Sequence, residues 1–245
     1  MQEIEYTEQN NIRYCKLHNK SFLWYNNFMR IKGSKSRNKI IKENYKYIIL
    51  LLLLIVFFSI FKKMNGFELL EPLDKFVEDL FQNTIGNKYT SLVHITSDII
   101  GIYTLLLIIV CMIFKFKNKY YVTVQSICYS LTLLTLVISK NTICRIRPSM
   151  DVLATIDIYS FPSGHTLTAF VGYFFLAYIL SLNSDQKTKN TYYFIASILV
   201  ITVAFTRLYL NVHYFSDILG SILFGTIILR CLMNIVEKHY KKKLI

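Results

Sequence analysis

The sequence predicts an all-α fold, an integral membrane bundle of six transmembrane helices with a short amphipathic helix in the first outer loop. Three observations lead there: long unbroken apolar runs, basic residues concentrated in alternate loops, and one segment of helical apolar spacing between the first two runs. The chain has 245 residues, 53% of them apolar. The runs are Ile48 to Phe61, Ile99 to Phe114, Tyr120 to Ser139, Thr166 to Leu182, Tyr192 to Phe205 and Ile218 to Val236. With its flanks, each approaches the ~20 residues a helix needs to cross a hydrocarbon core of ~30 Å. Backbone amides in lipid must be paired within the segment, so each run is expected to be a helix. The first run lies more than forty residues in, with no small-residue cleavage site after it, unlike a signal peptide.

The net charge of +13 raises the question of nucleic acid, and its placement argues against that partner. Ten of the 28 basic residues precede the first run: Arg13, Lys16, Lys20, Arg30, Lys32, Lys35, Arg37, Lys39, Lys42 and Lys46. With that end in the cytoplasm, the loop carrying Lys115, Lys117 and Lys119 returns there. The loop with Lys187 and Lys189 and the tail with Lys238, Lys241, Lys242 and Lys243 do the same. This is the positive-inside pattern for an even number of crossings. The expected organisation is a basic cytoplasmic tail over residues 1–44, a six-span domain over 45–237 and a basic cytoplasmic tail over 238–245. The expected location is the cell membrane. The five cysteines are scattered, without metal-ligand spacing or a disulfide pattern.

Between the first two runs, Glu68 to Phe81 places apolar residues at 69, 70, 73, 76, 77, 80 and 81, the spacing of one helical face. Pro72 suits an early helical position, and Asp74, Lys75, Glu78 and Asp79 fill the other face. A helix lying on the outer leaflet is expected.

Parity then sorts the unusual polar residues. Lys140, Arg145, Arg147 and Pro148 fall at the outer end of the third span, and Pro162, Ser163, Gly164 and His165 open the fourth. Arg207 closes the fifth, and His213 and Asp217 open the sixth. Three distant segments thus bring ionisable groups to one face at one depth, where positive-inside bias alone would deplete Lys and Arg. An anionic ligand is the expected reason. Arg147 and Arg207 offer paired donors that fit two phosphate oxygens, and Lys140 adds a compact positive charge. The Ser163 and Gly164 amides at a helix N-terminus point unpaired donors at an anion. His213 and Asp217, four apart, are expected on one helical face, with the carboxylate fixing the ring tautomer and freeing the other nitrogen for attack. His165 is the candidate general acid, later the base for water. No carboxylate cluster of the usual metal-binding kind is present, so neither metal nor cofactor is expected.

These segments resemble the three motifs of the PAP2 (type 2 phosphatidic acid phosphatase) family. Lys140 to Pro148 is similar to the first, Lys, six residues, Arg-Pro. Pro162-Ser163-Gly164-His165 is similar to the second. Thr206-Arg207, five residues, His213, three residues, Asp217 is similar to the third, with Thr where the family usually has Ser. The resemblance covers roughly residues 65 to 236. It implies hydrolysis of a membrane lipid phosphate or diphosphate through a phosphohistidine on His213. An outward-facing site with a small soluble portion favours a carrier lipid, a polyprenyl diphosphate such as undecaprenyl diphosphate, with phosphatidylglycerophosphate or phosphatidate as alternatives. The expected partners are that lipid and the surrounding membrane.

Two other classes fit less well. A transporter would place its charges near the midplane with repeated halves, and no repeat is visible. A non-catalytic binding protein leaves the full polar set unexplained. His94 and His239 read as interfacial hydrogen-bonders. Arg145 reads as a solvated loop residue, with an added contribution to the phosphate field as the alternative. Asp98 reads as a structural group inside the second span, with a place facing the site cavity as the alternative.

Overall fold

A computed structural model describes residues 35–84, 89–100, 119–148 and 158–244. The chain divides into two units, one ending at Tyr45 and the other beginning at Lys46; the packed bundle and the polar site belong to the second. Its elements, in order, are α1 (Lys35–Lys63), a 3₁₀ turn (Gly66–Leu70), α2 (Glu71–Thr84), α3 (Thr90–Asp98), α4 (Lys119–Ile143), α5 (Gly164–Ser181), α6 (Gln186–Tyr209) and α7 (Phe215–Leu244). An isolated antiparallel bridge pairs Ile146 with Tyr159; the described elements are otherwise helical.

Among the described residues, five helices are long and apolar enough to cross a membrane: Asn44–Lys63, Tyr120–Ile143, Gly164–Ser181, Gln186–Tyr209 and Phe215–Glu237. They match five of the six expected runs. The remaining run, Ile99 to Phe114, lies outside the described residues except for its first two positions. The N-terminal tail expected over 1–44 also lies outside them up to residue 34, and α1 begins before that boundary, at Lys35. At the other end, α7 continues to Leu244, so the expected C-terminal tail carries on the last span as helix.

Burial is inverted relative to a water-soluble protein. Leu52, Leu53, Val56 and Phe57 of α1, Leu133, Leu134 and Val137 of α4, and Phe194, Ile198 and Ile201 of α6 are exposed, while Gln125, Thr132, Ser139 and Ser221 are fully buried. Lipid accepts the first set and excludes the second. Helix α5 is the central span, 61% buried, and packs on α4, α6 and α7.

An aromatic cluster closes the end of the bundle that carries the polar site. Phe161 lies 4.6 Å from Phe58 and 5.3 Å from Phe67, ring centroid to centroid, and only 1% of it is exposed. Gly220 of α7 makes room for that ring, because a Cβ there would lie 2.4 Å from its Cε2 and Cζ atoms. Overpacking a full core costs roughly 1–3 kcal/mol, so Gly220→Ala is expected to lower the thermal midpoint of the detergent-solubilised protein. An unchanged midpoint would show that Phe161 can yield without loss.

Helix α2 carries out the amphipathic expectation, starting at Glu71 with Pro72 in its first turn. Its apolar stripe of Leu73, Phe76 and Leu80 is exposed. The opposite side packs on the bundle: Phe81 lies 4.9 Å from Phe205, the Asn211 amide donates to Glu78 Oε1 at 2.7 Å, and Asp74 is 3% exposed.

Candidate active site

Each polar side chain of the site is placed by a helix end. Helix α4 stops at Ile143, where Cys144 takes a left-handed φ of 52° and its amide bonds Lys140 O at 3.0 Å. The chain then runs extended through Arg145–Arg147. It is pinned by Ser160, whose N–H donates to Arg145 O at 2.7 Å. The returning strand leads through Pro162 to Ser163, the N-cap of α5. Helix α6 ends on a comparable device. Asn211 has φ 51°, a left-handed position that Asn tolerates better than most residues, and the turn presents Val212 and His213.

The residues expected from the sequence come together. The ring of His165 feels the charges of Arg207, Arg147 and Lys140 and the neighbouring ring of His213, so all three segments converge there. Arg147 Nη1 donates to Val212 O at 2.8 Å and lies 3.3 Å from His213 Nε2. A guanidinium only donates, so Nε2 is the acceptor and the ring proton sits on Nδ1. Arg207, 8% exposed, is held by Ser97 Oγ at 2.9 Å. Lys140 Nζ donates to Tyr159 O at 3.0 Å. Ser221 Oγ donates to Ser163 O at 3.0 Å and to Asp217 O at 2.7 Å, joining the start of α5 to the start of α7.

Ser163 and Gly164 do open α5. The Ser163 hydroxyl faces Thr166 Oγ1 at 3.1 Å and leaves the first amides uncapped. A Cβ at Gly164 would meet only Leu136, at 3.7 Å, an ordinary contact; packing inside the protein does not demand glycine there.

Two expectations change. His213 does not share a helix with Asp217, because α7 begins at Phe215. His213 precedes the helix, and its Nδ1 lies 3.5 Å from Asp217 Oδ2 without a closed hydrogen bond. Asp217 is set by its place in the first turn of α7. Its Oδ2 accepts the Tyr214 N–H at 3.0 Å, the reach-back half of a capping box. The second change is Arg145. It is no solvated loop residue: it is 7% exposed. Its Nη1 donates to Asp217 Oδ1 at 2.6 Å and Ser216 Oγ at 2.7 Å, and its Nη2 to Asp74 Oδ2 at 2.7 Å. The guanidinium lies between the rings of Phe67, 4.2 Å away, and Tyr214, 4.0 Å away.

Sequence reading therefore missed Asp74 and Ser97 as well as Arg145. Arg145 carried a faint signal as a second arginine beside Arg147 at an outer end that positive-inside bias would empty. Asp74 carried none, since its neighbours on the polar stripe, Lys75 and Asp79, are exposed. Asp98 ends α3; its side chain lies outside what the structure describes, as does that of His239. Among the described residues, no group of His, Cys, Asp and Glu is arranged to hold a metal ion.

Burial sets the charge state of His213. It holds the ring down to a pKa of about 4 against the pull of Asp217, with Arg207 and Arg147 adding to the depression. The neutral imidazole is therefore the resting form at neutral pH.

The PAP2 superfamily model matches residues 123–241. Phosphatidylglycerophosphatase B of Bacillus subtilis (strain 168) is 35% identical over 101 residues, 40% of this chain and 50% of that protein. Lipid phosphate phosphatase delta of Arabidopsis thaliana is 35% identical over 83 residues, 33% of this chain and 20% of that protein. The chain thus spans half or less of the length of these curated relatives. Among solved structures, the transmembrane PAP2 type phosphatidylglycerolphosphate phosphatase from Bacillus subtilis superposes with a TM-score of 0.65 at 24% identity. The match covers 77% of this chain and 96% of that one, a likeness of fold.

Proposed function

We propose that the chain, whose residues 123–241 match the PAP2 superfamily model, is a multi-pass membrane lipid phosphatase working through a phosphohistidine on His213. The observation that carries this reading is the convergence of Arg207, Arg147, Lys140 and His213 on the His165 ring. Three cations and two imidazoles at one end of a lipid-embedded bundle suit a phosphate on a membrane-borne molecule.

In this mechanism Arg147, Arg207 and Lys140 spread their charge over the phosphoryl oxygens, with the Ser163 and Gly164 amides adding donors. The lone pair of His213 Nε2 forms the N–P bond as the P–O bond to the lipid breaks. His165 delivers a proton to the departing oxygen. The ring keeps its Nδ1 proton and becomes cationic, and Asp217 stabilises that charge. His165 then takes a proton from water, whose oxygen attacks phosphorus and returns His213 to its neutral form. Nothing in these steps calls for a metal ion.

For the substrate we favour phosphatidylglycerophosphate, the lipid in the names of the matched Bacillus subtilis relatives. An outward-facing site with a small soluble portion keeps undecaprenyl diphosphate as the second reading. With the basic N-terminal residues inside, the site faces outward. The test is purified full-length protein against phosphatidylglycerophosphate, phosphatidate and undecaprenyl diphosphate in mixed micelles, with and without chelator and vanadate. The expected result is chelator-resistant, vanadate-sensitive phosphate release, fastest from phosphatidylglycerophosphate. Faster turnover of the polyprenyl diphosphate overturns the substrate, and loss of activity with chelator alone overturns the mechanism.

A further inference from the structure

We propose that Asp74, on the amphipathic helix α2, is a positioning residue of the nucleophile: by neutralising Arg145 it leaves the negative charge of Asp217 available to the His213 ring. This deepens the phosphohistidine reading above and rests on it.

The argument begins with a charge count in a closed space. Asp74, Arg145 and Asp217 are 3%, 7% and 0% exposed, so water screens their mutual charges far less than it would at the surface. Arg145 bonds Asp217 Oδ1 at 2.6 Å. Alone, that pair would be neutral, and a ring becoming cationic 3.5 Å from Asp217 Oδ2 would face a compensated dipole. The second carboxylate changes the sum. Asp74 Oδ2 takes Arg145 Nη2 at 2.7 Å, so one cation is shared between two anions and the cluster carries one net negative charge beside His213.

Arg145 is held beside Asp217 by more than charge, because its Cζ lies over the Phe67 ring at 4.2 Å and over the Tyr214 ring at 4.0 Å. Asp74 is fixed with equal care. Its Oδ1 accepts the Ser216 N–H at 2.8 Å and its Oδ2 the Ser216 hydroxyl at 2.7 Å. A carboxylate from α2 thus caps the first turn of α7, the turn that also carries Asp217. Since α2 presents Leu73, Phe76 and Leu80 on its exposed side, one short helix joins a lipid-facing surface to the group behind the nucleophile.

A purely structural Asp74, holding α2 in place and capping α7, makes a different prediction from a charge-setting one, and charge rescue separates them. The full-length wild type, Asp74→Asn, Arg145→Gln and the double variant are compared on phosphatidylglycerophosphate for kcat, KM and thermal midpoint. Asp74→Asn keeps an acceptor for Ser216 but leaves Arg145 to cancel Asp217. Its kcat is expected to fall about 10- to 100-fold, the range carried by outer partners of an oriented imidazole, with KM and midpoint little changed. The double variant restores one net negative charge and is expected to recover most of that kcat. An Asp74→Asn kcat equal to wild type, or a double variant no faster than Asp74→Asn, overturns the proposal. Should Asp74→Asn fail to fold, the double variant carries the test alone: a loss as deep as that of Asp217→Asn overturns it. A wild type inactive on every lipid phosphate overturns the functional reading and this one together, while an active wild type with an unimpaired Asp74→Asn overturns this one only.

Discussion

Replacing His213 by alanine is expected to lower phosphate release by about 10⁴-fold or more, the scale on which loss of a covalent nucleophile is felt, while the protein remains folded. The expectation rests on position and charge state together. His213 is 3% exposed, its Nε2 faces the Arg147 guanidinium at 3.3 Å, and the other imidazole of the cluster, His165, has the separate role of proton donor in the proposed reaction. The pH dependence has a defined sign. With the native pKa lowered to about 4 by burial, an unfolded chain takes up a proton near pH 6.5 that the folded chain refuses until about pH 4. Stability is therefore full above the unfolded value and falls as pH drops from about 6.5 to about 4. His213→Ala is expected to flatten this part of the stability curve. Kinetics of [³²P]-labelled lipid turnover and thermal unfolding between pH 4 and 8 measure both effects. Near-normal turnover in the variant would remove His213 from the reaction.

Replacing Arg145 by alanine is expected to produce the largest loss of stability, about 3–5 kcal/mol, because removing one partner of a buried ion pair leaves the other charge uncompensated. Here two carboxylates would be left, Asp74 and Asp217, both essentially sealed from solvent. The aromatic contacts to Phe67 and Tyr214 would go as well. Arg145→Lys is expected to recover only part of the loss. A single ammonium cannot reach Asp217, Ser216 and Asp74 in one plane, nor stack between two rings. Thermal unfolding in detergent reads the effect, and a midpoint for Arg145→Ala within a degree or two of wild type would show that the network is dispensable.

The site also explains why different parts of it differed in legibility. Lys140, Arg147, His165, Arg207 and His213 stand out in sequence because each is an ionisable group at a helix end in a chain otherwise built for lipid. Counting spans puts them on one face, and in the structure Arg207, His213, Arg147 and Lys140 all lie within electrostatic reach of the His165 ring. Arg145 carries the same type of signal, yet sequence alone treats it as loop, since nothing local reveals that a carboxylate 71 residues earlier will meet it. The His213–Asp217 spacing suggested a helical pair, whereas the helix begins two residues after His213. The two groups meet because Asp217 folds back to cap its own helix.

The sequence by itself determined the solvent of the fold and pointed to an anion site at one end of it: apolar runs long enough for lipid demand helices, and polar residues that lipid would reject must gather where something needs them. Only the tertiary structure decided which charges pair. Whether Arg145 is solvated or buried, and whether Asp74 faces water or the Arg145 guanidinium, depends on how α2 folds back over the first turn of α7. That packing is set by side-chain shape and by hydrogen bonds between residues far apart in the chain, a quantity that no local pattern contains.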